Sequence, residues 1–284
     1  MKKVLVIVGP TASGKTALGV ELAKHFGTEI INGDSVQVYQ SYDIGSAKVT
    51  EQEKQGVRHH LLDVVDPSQH YDVNRFQSDA RQLIEHLSFP LIVGGTGFYI
   101  KAALYDYDFS AAERQEKENE LTNEALYSYI KHHDPKYEGD PHNRRRLLRA
   151  YELIQQGHLP SSKNGKNKPL YDVLTIYLDI ERQLLKKRLW QRLEKQLSEG
   201  FVEEVKTIRA SHKIKDVIGY REIEQYLSGM YDYDTMKEMI IKKSMAFAKK
   251  QKTWFKHQMD AQVFDATSKT LVEDVIKVVE AWKI

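Results

Sequence analysis

The stretch that most constrains this chain is Gly9-Pro10-Thr11-Ala12-Ser13-Gly14-Lys15-Thr16. It satisfies G-x-x-x-x-G-K-[ST] at every fixed position, the pattern of a loop whose backbone N–H groups cradle a phosphate chain. Its flanks agree. Residues 2–8 (KKVLVIV) form an apolar run of the kind that makes a strand buried in a parallel sheet. Residues 15–26 (KTALGVELAKHF) have helical spacing, with Leu18, Leu22 and Phe26 on one face. Strand, glycine-rich turn and helix together aim N–H groups and a positive helix end at an anion. In that arrangement Lys15 reaches the terminal phosphates and the Thr16 hydroxyl holds Mg²⁺. The loop specifies a polyphosphate and leaves open which bond breaks.

The rest of the chain extends the βα alternation. Residues 29–33 (EIING) predict a second buried strand, ending in Asp34-Ser35. Carboxyl ends of strands line the ligand crevice of an open α/β sheet, so Asp34 is expected beside the phosphate loop. Residues 36–49 look irregular. Residues 59–65 (HHLLDVV) predict a third strand and 73–87 a helix. Residues 90–93 (PLIV) predict a fourth strand, ending in Gly94-Gly95-Thr96-Gly97. A fifth strand is expected over 171–178, with Asp179 capping a helix in which Leu185, Leu189, Leu193 and Leu197 recur every fourth residue, and Gly200 stopping it. Helices follow to about 258, then a short strand over 261–265 and a closing helix over 269–282. Strands alternating with helices predict an α/β fold: a P-loop-type parallel sheet with helices on both faces. Between the fourth and fifth strands the character changes. Residues 112–131 are polar and helical in composition, 142–156 form a basic amphipathic helix, and 157–169 are loop-like. The expected organisation is a catalytic core of residues 1–108 and 171–284 with a helical insertion domain at 109–170.

Composition narrows the chemistry by exclusion. The chain has no cysteine, which removes disulfides, thiolate zinc sites and cysteine nucleophiles. No signal peptide and no apolar run long enough for a membrane span are evident, in keeping with a cytoplasmic protein without a membrane partner. Net charge is only +2, yet the cations cluster. Residues 142–170 hold Arg144, Arg145, Arg146, Arg149, Lys163, Lys166 and Lys168 against Glu152 alone, seven cations against one acid. Residues 241–257 hold six lysines and no acid. One such patch is ordinarily a solvated helix face; two, interleaved with Tyr151, Trp254 and Phe255, suggest a polyanion lying along the protein.

Three classes of function are open at this point. A small-molecule kinase using ATP explains the loop but gives no reason for a basic helical insertion. A transferase in which diphosphate leaves from carbon uses the same loop, since the loop recognises phosphates and the charge that develops on them. A nucleotide-switch module lacks a base-recognition motif or a pair of switch-like loops.

The ordered set GPTASGKT (9–16), INGDSVQVY (31–39), DIGSAK (43–48), HHLLDVVDPSQHY (59–71), VGGTGFYIKAAL (93–104), VIGYRE (217–222) and AKKQKTWFK (248–256) resembles the bacterial tRNA dimethylallyltransferases. The resemblance covers most of the chain. It departs most over 105–141 and in the order DPHNRRR at 140–146. It implies transfer of a dimethylallyl group from dimethylallyl diphosphate to the exocyclic amine of the adenine 3′-adjacent to the anticodon in tRNA, with release of diphosphate by a monomeric enzyme. An adenine amine is a poor nucleophile, so a carboxylate that orients it and accepts its proton is required; Asp34 is the candidate, against roles as helix cap or metal ligand. Thr96 is either a donor to a diphosphate oxygen or a helix cap. The resemblance implies that Arg221 clamps the diphosphate opposite Lys15, that Gly9, Pro10, Thr11, Ala12, Ser13, Gly14, Lys15 and Thr16 hold it, and that Asp34, Ser35, Val36, Gln37, Arg145, Arg146 and Arg149 touch RNA. His59 and His60, on an apolar strand, read as structural.

Overall fold

The computed structural model describes residues 1–109, 120–162 and 168–284. Lys163 and Lys166 of the first basic patch, and the start of the polar stretch at 112–131, lie outside the described residues. Six parallel strands form one sheet: β1 (Lys3–Val8), β2 (Ile30–Gly33), β3 (His59–His60), β4 (Leu91–Gly94), β5 (Asp172–Asp179) and β6 (Gln262–Asp265). Their order is β3-β2-β4-β1-β5-β6, so the strand that feeds the phosphate loop is central. β1 pairs with β4 on one side, Leu5 against Leu91, and with β5 on the other, Lys3 against Asp172 through Val8 against Tyr177. Val4 to Val8 are fully buried, as a central parallel strand covered on both faces requires.

On one face, Leu5, Ile7, Ile30, Leu91, Val93 and Ile176 pack with α1 (Lys15–Phe26) and α11 (Leu271–Lys283), through Leu18, Leu22, Val275 and Val279. The other face is covered by α3 (Val73–His86), α4 (Gly97–Leu104) and α10 (Tyr233–Gln258). Ile100 of α4 lies against Gly33, and Phe255 of α10 meets Tyr177 at 6.1 Å between rings. Two short helices, α2 (Glu51–Lys54) and α9 (Tyr220–Leu227), and the consecutive α7 (Arg182–Ser198) and α8 (Phe201–Ser211) complete this unit, which comprises Met1–Leu104 and Leu170–Ile284.

The second unit, Tyr105–Pro169, is helical. Its α5 (Asn123–His133) and α6 (Arg144–Gln155) bury Leu126, Ile130, Leu147 and Ala150 between them. Buried Asp134 accepts hydrogen bonds from the Ser161 N–H and hydroxyl at 2.7 and 2.6 Å, tying the turn after α6 to the end of α5.

Two local expectations are corrected. The third strand stops after two residues instead of running to Val65, because Leu61 and Asp63 sit at φ 60° and 55°, left-handed backbone that cannot continue a strand. Val65 then returns to the sheet edge as an isolated bridge to Tyr39. Asp179 does not cap α7: it is the last residue of β5, accepts from Lys252 Nζ at 2.6 Å, and leaves the cap to Glu181, whose carboxylate accepts from the N–H groups of Gln183 and Leu184.

Candidate active site at the carboxyl edge of the sheet

The phosphate loop leaves β1 at Gly9, whose φ is +155°. A Cβ there would lie 2.8 Å from the Leu178 carbonyl of neighbouring β5, so only glycine lets the chain turn this close to the sheet. The loop re-enters helix at Gly14, left-handed at φ 91°, and α1 begins at Lys15. Inside the loop the Ser13 side chain is buried, and its hydroxyl has no hydrogen-bond partner. Lys15 Nζ folds back onto the Pro10 carbonyl at 2.7 Å. Burial, reinforced by the charge of Arg192 and opposed by that of Asp34, pushes its pKa down to about 8. Thr16 stands exposed on the first turn of α1.

Two arginines from α7 reach this loop. Arg192 Nη1 donates to Thr11 Oγ1 at 2.7 Å, and Arg188 Nη1 to the Ala12 carbonyl at 3.3 Å. Burial lowers the pKa of Arg192, against the pull of Asp34 and Glu53. Among the described residues neither Lys15 nor Arg192 forms an ion pair. Two part-buried cations whose hydrogen bonds go only to neutral groups, with Asp34 as a nearby carboxylate, are better satisfied around an anion than in the empty protein.

On the other side of the loop, Gly94 at the end of β4 approaches the end of β2 so closely that a Cβ would fall 2.3 Å from the Gly33 carbonyl. That contact sets the two following segments side by side. Thr96 N–H donates to Gly33 O at 3.1 Å; its hydroxyl accepts from Ser35 N–H at 3.0 Å and donates to Ser35 Oγ at 3.2 Å. Asp34 Oδ1 accepts from Val36 N–H at 2.8 Å and Gln37 N–H at 3.4 Å, an Asx-type turn rather than a helix cap. Its Oδ2 has no hydrogen-bond partner among the described residues. Behind this edge, buried Gln251 of α10 donates to the Gly95 carbonyl at 2.8 Å.

Residues 9–16, 34–37 and 96 thus share one edge, and Asp34 is close enough to favour the charged form of Lys15. Arg221, expected opposite Lys15, is held by two carboxylates instead: Asp216 at 2.5 Å and fully buried Glu222 at 3.4 Å. The guanidinium that reaches the loop is Arg192. Arg188 and Arg192 were absent from the sequence-based site. Their signal was a polar stripe, Arg188, Arg192 and Gln196 at four-residue spacing, running beside the leucine stripe of the same helix. Arg145 and Arg146 are exposed on α6 in the second unit; Arg149 pairs with Glu152 at 3.0 Å. His60 is paired with Glu29 and His59 Nδ1 lies 3.0 Å from the Val57 carbonyl; among the described residues no group of three His, Asp or Glu side chains is placed to hold a metal.

Comparison with known proteins gives the family. The IPP transferase family model matches residues 37–258, and the isopentenyl transferase model matches residues 2–71. The chain belongs to the IPP transferase family. It is 50% identical over 277 residues to the tRNA dimethylallyltransferase of Acholeplasma laidlawii, covering 98% of this chain and 97% of that one, and 46% identical to that of Phytoplasma australiense, with the same coverage. Among solved structures, the tRNA delta(2)-isopentenylpyrophosphate transferase of Staphylococcus epidermidis superposes with a TM-score of 0.75 at 33% identity, covering the whole of both chains. A eukaryotic dimethylallyltransferase acting on tRNA superposes with a TM-score of 0.86 at 27% identity, over 99% of this chain and 79% of that one. The fold is thus shared with solved structures of tRNA-modifying transferases over nearly the whole chain, and among the described residues no helix is long and apolar enough to cross a membrane.

Proposed function

We propose that this chain transfers a dimethylallyl group from dimethylallyl diphosphate to tRNA, at the exocyclic amine of the adenine 3′-adjacent to the anticodon, releasing diphosphate. The observation that carries the reading is the pairing of two unneutralised cations, Lys15 and Arg192, with a carboxylate that has one oxygen tied and one open. The cations and the loop N–H groups receive the diphosphate, and Ser13 Oγ gains the partner it lacks. As the carbon–oxygen bond breaks, negative charge grows on the diphosphate, where fixed donors stabilise it most. As the carbon–nitrogen bond forms, the amine must lose a proton, and Asp34 Oδ2 accepts it. Oδ1, held by Val36 and Gln37, fixes the carboxylate plane. Thr96 aligns Ser35, and hence Asp34, and its hydroxyl is the next donor available to a diphosphate oxygen.

Among the described residues no cluster of three acidic or histidine side chains would hold a metal by itself; the Thr16 hydroxyl, exposed beside the loop, would be the side-chain ligand of a Mg²⁺ bound with the diphosphate, and the ion would supply positive charge at the leaving group. Asp34 to Gln37 face the flipped adenine and its neighbours. Arg145, Arg146 and Arg149 of the insertion at 109–170 hold the RNA backbone, while residues 1–108 and 171–284 carry the chemistry. The chain acts as a monomer in the cytoplasm, where its RNA substrate is.

The test is to follow label from dimethylallyl diphosphate into unmodified tRNA and, separately, label from the γ-phosphate of ATP. Prenyl label in tRNA is expected. Movement of the ATP label without it would make the chain a kinase.

A further inference from the structure

The turn Asp43-Ile44-Gly45 presents three consecutive backbone N–H groups to a single side chain. Glu204 of α8 accepts from Asp43 and Ile44 through Oε2, at 3.1 and 2.7 Å, and from Gly45 through Oε1, at 3.1 Å. A cluster of successive N–H groups is an anion-binding concavity; this one is filled from within the protein. A fourth donor, the hydroxyl of fully buried Tyr220, reaches Glu204 Oε1 at 2.6 Å and accepts from Ser46 N–H at 3.1 Å. Gly45 lies so flat on Phe201 and Tyr220 that a Cβ would fall 2.0–2.6 Å from their ring atoms. Gln196 of α7 holds the carbonyls of Ile44 and Gly45, and Glu204 is the anchor of the turn's N–H groups.

The far side of the same turn faces the reacting edge. The carbonyls of Ser46 and Ala47 accept from Gln37 Nε2 at 3.1 and 3.2 Å, and Gln37 N–H in turn points to Asp34 Oδ1. We propose that Glu204 is a positioning residue for the transfer reaction: by fixing residues 43–47 it sets the Gln37 side chain, and through it the Asp34–Gln37 turn that receives the acceptor base. This rests on the function proposed above. A carboxylate suits the task because it accepts on both oxygens; an amide in its place would turn one NH₂ toward N–H donors.

Glu204→Gln tests it with two readouts. Amide exchange, measured without substrate, should lose protection at 43–47 and also at Val36 and Gln37. Single-turnover prenyl transfer to tRNA should fall roughly tenfold to a hundredfold, the scale of a lost charged hydrogen bond, while affinity for inorganic pyrophosphate stays within about twofold. Transmission through Gln37 requires that Glu204→Gln combined with Gln37→Ala be little worse than the more damaging single variant. Unchanged exchange at Val36 and Gln37, or additive effects in the double variant, would overturn the proposal. Should Glu204→Gln fail to fold, Tyr220→Phe removes one of the four donors and should move the same readouts less far; no change there would overturn it equally. Exchange needs no reaction, so it decides the positioning even if the parent transfers no prenyl group, a result that would instead sink the function reading.

Discussion

The phosphate loop and the 34–48 segment flank the same edge of the sheet, yet they keep opposite accounts of their polar groups. In the loop, Ser13 Oγ has no partner, Lys15 bonds a neutral carbonyl and Arg192 a neutral hydroxyl. In the segment, apart from the open Oδ2 of Asp34, most polar groups are answered from within: Asp34 Oδ1 by its own turn, Gln37 by two carbonyls, residues 43–45 by Glu204, Lys48 by the Tyr39 carbonyl and by Asp43 and Asp63. The difference separates a place that is completed by its ligand from a place that must already be rigid when the ligand arrives. A mobile, highly charged diphosphate can organise the first. A weakly nucleophilic amine cannot organise the second, so the protein does.

Four experiments would break or sharpen that contrast. The largest effect is expected from Asp34→Asn, which keeps shape and one acceptor but takes no proton. Single-turnover transfer should fall by roughly two to four orders of magnitude while tRNA affinity stays near the parent's; a preserved rate would mean that the proton leaves through water or the diphosphate. Lys15→Ala should cost about a hundredfold or more in turnover, like removal of one oxyanion-type donor, while the melting temperature of the empty protein near neutral pH stays at or rises above the parent's, since burial disfavours the ammonium that the variant removes. Near-normal turnover would show that the loop is vestigial.

The third experiment uses the Lys15 pKa of about 8. Its charged form is disfavoured in the folded state, so removing the proton relieves the protein: stability contributed by this group should rise between about pH 8 and the unfolded value near 10.5. Anion binding has the opposite sign, because it needs the ammonium. Pyrophosphate affinity, measured by calorimetry, should decline as pH rises past 8, and binding just above that pH should take up protons. A flat profile would remove Lys15 from the anion's contacts. The smallest effect concerns the second unit. Replacing Arg145, Arg146 and Arg149 by Ala should weaken tRNA binding and flatten its salt dependence by about 0.7–0.9 in slope per lost phosphate contact. Affinity for dimethylallyl diphosphate should not change.

The parts of this fold that repeat a period were legible in advance. The apolar run before Gly9 and the helical spacing after Gly14 are local signals, and β1 and α1 follow them closely. The third strand begins where expected, but its end was not legible, because nothing in the apolar residues of 59–65 announces the left-handed backbone at Leu61 and Asp63. At the site, the G-x-x-x-x-G-K-T pattern and the strand-end rule placed Lys15 and Asp34 on one edge. Arg192 escaped because its partner, Thr11, is distant in sequence and only the packing of α7 brings the two together. The pairing of Arg221 with Asp216 and Glu222 is equally hidden in the sequence, because the motif that carries Arg221 does not announce which carboxylates hold it.

The hydrogen bond from Leu170 N–H to the Leu104 carbonyl, at 2.9 Å, joins the points where the chain leaves the sheet unit and returns to it. Its consequence is kinetic. β1 must pair with β5, Lys3 with Asp172, across more than half the sequence, the kind of distant closure that slows folding. Tyr105–Pro169 has its own α5–α6 core, so that segment, if formed first, would bring its ends together and shorten the loop that β1 and β5 must close. By the same argument a change in the length of this segment would cost the sheet little, because closure entropy grows only as the logarithm of loop length.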